Sequence, residues 1–354
     1  MNPTALVKGF VSTIVLNWNG KEVIFHCIDS LLAQTYPARE IIVVDNGSVD
    51  GSLPMIRQKY GASIVVIENG QNLGFAEGCN VGMRASKGEF IALLNSDATV
   101  EKNWMEEMVR GLQKAGVHEG EKIGMAAGKI YFTGDEKRIE NTGHVIYKDG
   151  LGRGRGRLEI DRGQYDHEDR VFCPNGCAAL FRRSMMDEIG MFDKEFFAYA
   201  DDIDVGFRGR LMGYKCAYIP SAIAYHRLSA SFGMLSPLKA FLVERNRLWV
   251  LIKCFPTSYI VMSPFYTAAR YFYHFYGIFQ HKGPAARYAE KLSIWNLMWI
   301  AVKVYLSTLV HLPYLLKERA KIRKKTTTTT QDFDFWLKKY GLTAREVALN
   351  EISY

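Results

Sequence analysis

The chain has 354 residues, and 45 Lys and Arg against 37 Asp and Glu give it a formal net charge of +8 at pH 7. Its composition, 48% hydrophobic and 23% charged, is that of a folded globular protein and excludes wholesale disorder, and its length predicts roughly two domains or one α/β domain with an appendage. The six cysteines contain no CxxC pair, which excludes a zinc ribbon and a disulfide scaffold and makes a reducing, intracellular compartment the expectation.

Short apolar runs and helical periodicities alternate over residues 11–118. Each predicted strand is an apolar run that ends in polar residues, which is typical of a buried parallel strand. Strands that alternate with helices of this length indicate βαβ units, and therefore a parallel sheet with helices on both faces. The predicted strands are 11–16, 40–44, 63–68 and 90–94, and the predicted helices are 21–33, 52–60, 75–85 and 104–114.

Residues 119–235 have a more mixed pattern. The segment 150–163, with the sequence GLGRGRGRLEIDRG, is rich in Gly and Arg and is predicted to be a loop. Its four arginines could bind an anionic ligand, or they could simply face solvent in a mobile loop, and the sequence favours neither. The other predictions in this part are strands over 123–132, 178–182 and 216–224 and a helix over 205–212.

From about residue 236 the sequence becomes rich in aromatic and aliphatic residues. Residues 294–316 form a run of 23 with a single Lys, Lys303, which is long enough to cross a bilayer. Because Lys303 lies near the middle and the aromatic residues are spread throughout, an interfacial or self-associating pair of helices is favoured over a span, with a core helix as the remaining alternative. The basic run 317–325 suits an anionic membrane surface or a solvated linker, and 331–354 predicts a short amphipathic tail.

Polar residues follow three of the predicted strands, at 17–19, 45–48 and 95–97. Each group alone is typical of an ordinary turn. In an open parallel sheet, however, ligands bind at the carboxyl ends of the strands, so the three together predict a site for a nucleotide or another polar ligand. The sequence has no GxGxxG after the first strand and no GxxxxGK[ST], which argues against dinucleotide redox chemistry and P-loop hydrolysis.

Two acidic features suit catalysis at such a site. The carboxylate of Asp97 can hold a hard divalent cation that bridges a diphosphate, and its alternative role is to cap the following helix. In the cluster 201–204, repulsion between Asp201, Asp202 and Asp204 is expected to raise the pKa of at least one carboxyl, and a raised pKa suits a general base. The alternative role of these carboxylates is to complement the dipole of the following helix. His226 suits a metal site begun by Asp97, although a lone histidine is more often an ordinary one.

These stretches together resemble the inverting GT-A glycosyltransferases of family 2 over roughly residues 11–250. The resemblance lies in VSTIVLNWNG, EIIVVDNGSVDGS, NLGFAEGCNVGMRASKGEFIALLNSDA, GCAALFRRSMMDEIGMFDKEFFAYADDIDVGFRGRLMGY and HRLSAS. Within the family, the sequence is most similar to rhamnosyltransferase-like members that build lipid-linked polysaccharides. The resemblance implies an α/β fold with a mainly parallel, Rossmann-like sheet flanked by helices, followed by a C-terminal helical region that associates with a membrane or oligomerises.

The resemblance also implies a role for each matching residue. It assigns Asp202 as the catalytic base, and Asp97 and His226 as ligands of Mg²⁺ or Mn²⁺. Residues implied to bind the nucleotide sugar are Asn17, Asn19, Asp45, Asn46, Ser48, Gly74, Asn80, Asn95, Ser96 and Asp97.

Three positions depart from the family pattern. Asn95 replaces the first aspartate of the DxD motif, so only one motif carboxylate is left for the metal. Asp201 stands where Glu is commoner. Glu77 adds a negative charge near the expected diphosphate, and nothing in the sequence explains it.

The expected reaction is the transfer of a sugar from a nucleoside diphosphate to a hydroxyl of a lipid-linked glycan in cell-surface polysaccharide synthesis. The first expectation for the donor is dTDP-rhamnose, followed by UDP-sugars and GDP-mannose. The rival functions are a nucleotidyltransferase or other sugar-nucleotide enzyme, and a non-catalytic carbohydrate-binding protein. Nucleic acid binding fits poorly, because the excess positive charge lies beside the apolar C-terminal helices.

The expected organisation is a catalytic part, 1–235, with a nucleotide-binding half, 1–118, and an acceptor half, 119–235. An aromatic and basic helical region, 236–325, and a linker and tail, 326–354, follow. Since the N-terminus lacks the layout of a signal peptide, we expect the protein in the cytoplasm, at the inner face of the membrane, where it makes peripheral contact with lipid or forms a homo-oligomer.

Overall fold

The computed structural model describes residues 6–117, 121–227, 236–291 and 293–349. Within these residues the strands form a ten-stranded sheet and a separate two-stranded hairpin, β8–β9. The order in the large sheet is β10-β12-β6-β11-β4-β1-β2-β3, and β5 pairs with β12 and β7 with β6. The strands are β1 (Val7–Asn17), β2 (Arg39–Asp45), β3 (Val65–Glu68), β4 (Gly88–Leu94), β5 (Ala98–Val100), β6 (Ile123–Phe132), β7 (Asp135–Asn141), β8 (His144–Ile146), β9 (Gly152–Gly154), β10 (Arg170–Val171), β11 (Ala178–Arg182) and β12 (Lys215–His226).

The sheet is mainly parallel, as predicted. Strands β3, β2, β1 and β4 are parallel neighbours, and β6 is parallel to β12. Strand β11 lies antiparallel between β4 and β6 and thereby joins the two parallel groups. The register pairs Asn17 with Asp45, so the polar groups that follow β1 and β2 meet at one edge of the sheet.

Helices cover both faces of the sheet, which confirms the predicted layered α/β fold. Successive side chains of a strand point to opposite faces. Accordingly Ile42 and Val44 belong to one hydrophobic cluster, and Ile41 and Val43 belong to the other. The helices are α1 (Ile24–Leu32), α2 (Ser52–Tyr60), α3 (Gly74–Ala85), α4 (Trp104–Val117), α5 (Arg183–Ile189), α6 (Asp201–Leu211), α7 (Pro237–Cys254), α8 (Thr257–Phe279), α9 (Gly283–Lys291), α10 (Ile294–Val310), α11 (Leu312–Lys325), α12 (Thr330–Lys339) and α13 (Ala344–Leu349).

The long apolar run 294–316 is divided between two helices. Helix α10 ends at Val310, and α11 begins at Leu312 with a proline in its first turn. Proline fits a first turn but not a helix interior, because it has no N–H to donate to the preceding turn. Among the described residues no single helix has the length and hydropathy of a membrane span; the consecutive pieces Gly283–Glu290 and Trp295–Val310 reach them only together, with a bend of 116°.

A buried ionic network fastens α7 to the start of α6. The ammonium of Lys253 lies 2.6 Å from Asp193 and 2.8 Å from Asp204, and Arg208 pairs with Asp204 at 2.7 Å. Removing one partner from such a network strands a buried charge and typically costs about 3–5 kcal/mol. The network therefore fixes the helix whose first turn carries Asp201 and Asp202.

Candidate functional site

A cavity of about 420 Å³ opens at the carboxyl ends of the parallel strands. Its walls come from the loops after β1, β2 and β4, the first turns of α3, α6 and α7, the β8–β9 hairpin and the end of β12. Asp97 and Asp202, which sequence analysis singled out separately, both line it. The other predicted residues that line the cavity are Asn46, Gly74, Asn95, Ser96 and His226, whereas Asn17, Asn19, Asp45, Ser48 and Asn80 are not among its lining residues.

Strand pairing brings Asp97 and His226 together across 129 positions of the chain. A turn after β4, closed by a hydrogen bond from the Ala98 N–H to the Asn95 carbonyl, leads into β5. Strand β5 pairs with the end of β12, and the register sets His226 opposite Ala98. As a result His226 Nε2 lies 3.2 Å from Asp97 Oδ1, and both side chains are largely buried in the wall of the cavity.

The Asp97–His226 pair fits a divalent cation. It offers one carboxylate and one imidazole, both of which occur as ligands of Mn²⁺-type ions. Among the described residues there is no group of three or more His, Cys, Asp or Glu arranged to hold a metal. A cation here would therefore complete its coordination with water and substrate oxygens, which is how Mg²⁺ is commonly bound.

Asp202 lies in the first turn of α6 and its carboxylate is held at both oxygens. Oδ2 accepts a hydrogen bond from the Gly176 N–H at 3.0 Å and lies 2.8 Å from His144 Nε2. Oδ1 accepts one from the N–H of Ile203 at 2.8 Å. Burial acts to raise the pKa of Asp202, but His144 and the two N–H groups outweigh it and hold that pKa below its ordinary value.

The raised pKa that the acidic cluster predicts falls on a different carboxyl. Burial, followed by the charge of Asp202, raises the pKa of Asp201 well above its ordinary value. Burial acts to raise the pKa of Asp204 too, but Arg208 and Lys253 overcome it and lower that pKa. The basic partners, Arg208 from the next turn of α6 and His144 and Lys253 from distant parts of the chain, therefore decide which carboxyl stays ionised.

The backbone before α6 adopts a conformation that its residues seldom take. Phe197, Tyr199 and Ala200 have φ angles of +65°, +69° and +60°. Positive φ angles are strained in residues other than glycine, and such angles persist only where surrounding groups hold the backbone in place. Here Asn246 on α7 holds the backbone, because its side-chain amide donates hydrogen bonds to the carbonyls of Phe196, Ala198 and Tyr199 at 2.7–3.0 Å.

His144 contacts the predicted base but was not among the residues predicted from the sequence. His144 is 58 positions from Asp202 and lies in no recognisable motif, so only the folded chain brings the two together. Its strand, β8, pairs with β9 from the Gly–Arg segment, which was predicted to be entirely loop. A Cβ on Gly152 would come within 2.2 Å of Ile203, so glycine at this position allows the hairpin to lie against the start of α6.

The polar residues that follow β1 and β2 form hydrogen bonds mainly with one another. The amide of Asn17 donates to Asp45 Oδ1 at 2.8 Å, to Ser48 Oγ at 3.1 Å and to Ser52 Oγ at 2.9 Å. Asn19 accepts from the Val49 N–H at 2.8 Å. These bonds fix the two loops against each other, and Asn46 beside them reaches the cavity.

The contacts of Glu77 explain the charge that the sequence left unexplained. Its carboxylate accepts from Arg84 at 2.7 Å and from the Asn80 amide at 2.9 Å. Asn80 also bonds the backbone N–H and C=O of Phe192. Glu77 is therefore neutralised on its own helix, and Asn80 joins α3 to the chain ahead of α6.

Comparison with known proteins agrees with this geometry. The family model described as "Glycosyl transferase family 2" matches residues 12–190, half of the chain. Glycosyltransferase AglE of Haloferax volcanii is 33% identical over 129 residues, 35% of this chain and 40% of that protein. The putative glycosyltransferase EpsH of Bacillus subtilis is 27% identical over 227 residues, 62% of this chain and 61% of that protein. The chain thus spans less than two thirds of the length of these relatives.

The fold has counterparts among solved structures. The mannosyltransferase PcManGT from Pyrobaculum calidifontis, solved with GDP-Man and Mn²⁺, superposes with a TM-score of 0.50 at 17% identity, over 89% of this chain and 85% of that one. GalNAc-T7, solved with UDP, GalNAc and Mn²⁺, gives a TM-score of 0.52 at 15% identity over 69% of this chain. With the predicted motifs, the sheet order and the family match in agreement, the chain belongs to glycosyl transferase family 2 and has the GT-A fold.

Proposed function

We propose that the protein is a metal-dependent, inverting glycosyltransferase that moves a sugar from a nucleoside diphosphate to an acceptor hydroxyl. The observation that carries this proposal is the presence of the Asp97–His226 pair and of Asp202 on the walls of one cavity. A cation ligand and an ionised base that face a common space are what a single displacement at a sugar carbon requires.

The chain's own residues account for binding and proton transfer. Asp97 and His226 would hold Mg²⁺ or Mn²⁺, which when bound neutralises the donor diphosphate and makes the nucleotide a better leaving group. Asp202 takes the proton of the acceptor hydroxyl, and the oxygen attacks the sugar's anomeric carbon from the face opposite the nucleotide. The bond between the anomeric carbon and the phosphate oxygen breaks as the new glycosidic bond forms, and the nucleoside diphosphate leaves. The configuration at the anomeric carbon is therefore inverted. His144 and the N–H groups of Gly176 and Ile203 keep the carboxylate in one orientation.

For the donor, we propose dTDP-rhamnose first and UDP-sugars second, on the rhamnosyltransferase-like sequence motifs. A thermal-shift panel of dTDP-, UDP- and GDP-sugars with Mn²⁺ tests the proposal. One nucleotide class is expected to raise the melting temperature more than Mn²⁺ alone does, because ligand that binds only the folded state stabilises it. A nucleotidyltransferase would instead respond to a nucleoside triphosphate and release pyrophosphate from it with a sugar phosphate. That result, or no response to any nucleotide sugar, would refute the proposal.

We further propose that the acceptor is lipid-linked and that the protein lies against the cytoplasmic face of a membrane. Helix α8 exposes Phe265, Phe272 and Phe279, each 66–67% accessible and seven residues apart, so they form one stripe. Helix α10 exposes a second stripe that includes Trp295 and Val310, 73% and 75% accessible. Exposed apolar surfaces of this kind mark interaction sites, and the basic helix α11 that follows favours an anionic lipid surface as the partner.

Flotation with vesicles of equal parts phosphatidylglycerol and phosphatidylcholine tests the membrane contact. The wild-type protein is expected to float, and less so in high salt, because salt screens the basic residues. The triple variant Phe265→Glu, Phe272→Glu, Trp299→Glu, in which Trp299 is a 56% accessible residue of α10, is expected to stay at the bottom of the gradient. The control Met55→Glu, at a 41% accessible residue of α2, should float like the wild type. If the protein fails to float and instead forms dimers that the triple variant abolishes, a second copy of the chain covers this surface.

A further inference from the structure

The cavity has a basic wall on the side of Asp202. We infer that this wall, formed by Arg153, Arg157 and Lys239, binds a phosphate group of the acceptor, an inference that rests on the proposed function. All three residues line the same cavity as Asp202. Arg153 also donates a hydrogen bond to the carbonyl of Val347 at 3.1 Å, and Arg157 forms an ion pair with Glu140, which lines the cavity as well.

Strand pairing and helix packing place the hairpin that carries Arg153 next to Asp202. Arg153 lies on β9 opposite Val145, the neighbour of His144, whose ring contacts Asp202. The close approach of Gly152 to Ile203 brings the same strand against the turn that carries Asp202. The wall and the base therefore belong to one local assembly.

Lys239 joins this assembly from another element. It lies in the first turn of α7, capped by Ser236, and its ammonium is 5.6 Å from the centre of the Tyr199 ring, just before α6. Burial, and then the charge of Arg157, lower the pKa of Lys239 to about 8, although Glu140, the ion-pair partner of Arg157, acts in the opposite direction. An anion bound beside Lys239 would stabilise the charged form of its ammonium.

Because the proposed reaction inverts the anomeric carbon, the basic wall lies on the side of the cavity that the acceptor occupies. In a single displacement the attacking oxygen and the leaving diphosphate lie on opposite faces of the sugar carbon. Asp202 must reach the attacking oxygen, so groups packed around Asp202 lie on the acceptor's side. The donor's diphosphate would have its own partner in the cation that Asp97 and His226 hold. Arginine and lysine side chains are the usual protein partners of phosphate.

The fitting acceptor is therefore one that carries a phosphate close to the hydroxyl it offers. A polyprenyl diphosphate carrier and a phosphate within a soluble glycan share this chemistry. Two probes separate them: farnesyl diphosphate, which has both a diphosphate and a lipid chain, and inorganic pyrophosphate, which has the diphosphate alone.

The test is calorimetric titration of the full chain with each probe, in Mg²⁺ and an excess of dTDP, UDP and GDP that occupies the donor site. The wild type is expected to bind. Lys239→Gln and Arg153→Gln are expected to weaken binding about tenfold to a hundredfold, the loss typical of a hydrogen bond to a charged group. Arg162→Gln, an exposed arginine of the same segment, should bind like the wild type. Melting temperature and nucleotide affinity confirm that each variant is folded.

Binding of farnesyl diphosphate but not pyrophosphate supports a lipid carrier, and equal binding of both supports phosphate recognition alone. Equal affinity in wild type, Lys239→Gln and Arg153→Gln would overturn the inference, as would failure of the wild type to bind either probe while nucleotide occupies the donor site. The proposed function fails separately: it is refuted if nucleotide sugars do not bind or react, whatever the phosphate titrations give.

Discussion

Replacing Asp202 by Asn is expected to lower the turnover rate by about 10²–10⁴-fold, the usual contribution of a general base, while nucleotide-sugar binding changes little. The amide keeps the size of the carboxylate but cannot take a proton from the acceptor hydroxyl. Rate measurements on purified protein with the selected donor, together with titration calorimetry, separate the two effects. Since the wild-type pKa of Asp202 is lowered, this carboxylate should stay ionised in mildly acidic solution, and its protonation should limit activity only at lower pH.

The neighbouring carboxyl offers a matched control. Asp201 is buried in the same turn, and because its pKa is raised well above the ordinary value, it is the carboxyl of this pair more readily held neutral. Asp201→Asn is therefore expected to change turnover far less than Asp202→Asn does. Turnover near the wild-type level in Asp202→Asn would remove this residue from the role of base.

The second large effect is expected for Asp97→Ala, which should abolish the part of nucleotide-sugar binding that depends on the metal. Asp97 is the one carboxylate in contact with His226 among the described residues, and a single imidazole holds hard cations poorly. Calorimetry of wild type and variant with and without Mn²⁺ measures the effect. A chelator should reduce the wild type to the level of the variant.

The matching control for Asp97→Ala is Asp50→Ala, which removes a carboxylate from the loop before α2 that hydrogen-bonds the Ser52 and Lys21 backbone. It should leave the response to Mn²⁺ intact. If Asp97→Ala still binds nucleotide sugar more tightly with Mn²⁺ than without it, the cation is held elsewhere and the proposed metal site is wrong.

The layered fold could be predicted because its signals are local. The apolar run of β1 and the polar residues that follow it are contiguous, and parallel pairing in register then sets Asn17 beside Asp45. The helix prediction for 52–60 matches the observed bounds for the same reason. The break before α11 also had a local signal, the proline at its start, which a count of apolar residues overlooks.

The acceptor side of the site could not be predicted in this way. His144 reaches Asp202 from a short hairpin that is distant in sequence. Arg153 of the same hairpin and Lys239 at the start of α7 line the same cavity. The reason for a glycine at position 152 is visible only in the folded chain, where Ile203 lies too close for a Cβ. The same holds for pKa values, since the sequence shows the acidic cluster but not which carboxyl Lys253 neutralises.

Anomalous diffraction at the manganese edge, from crystals grown with Mn²⁺ and the nucleoside diphosphate selected by the panel, tests the central claim most directly. The account predicts one strong peak between the Asp97 carboxylate and the diphosphate, with the side chain of Asp202 facing it across the cavity. A peak remote from Asp97, or a nucleotide bound outside this cavity, would contradict it.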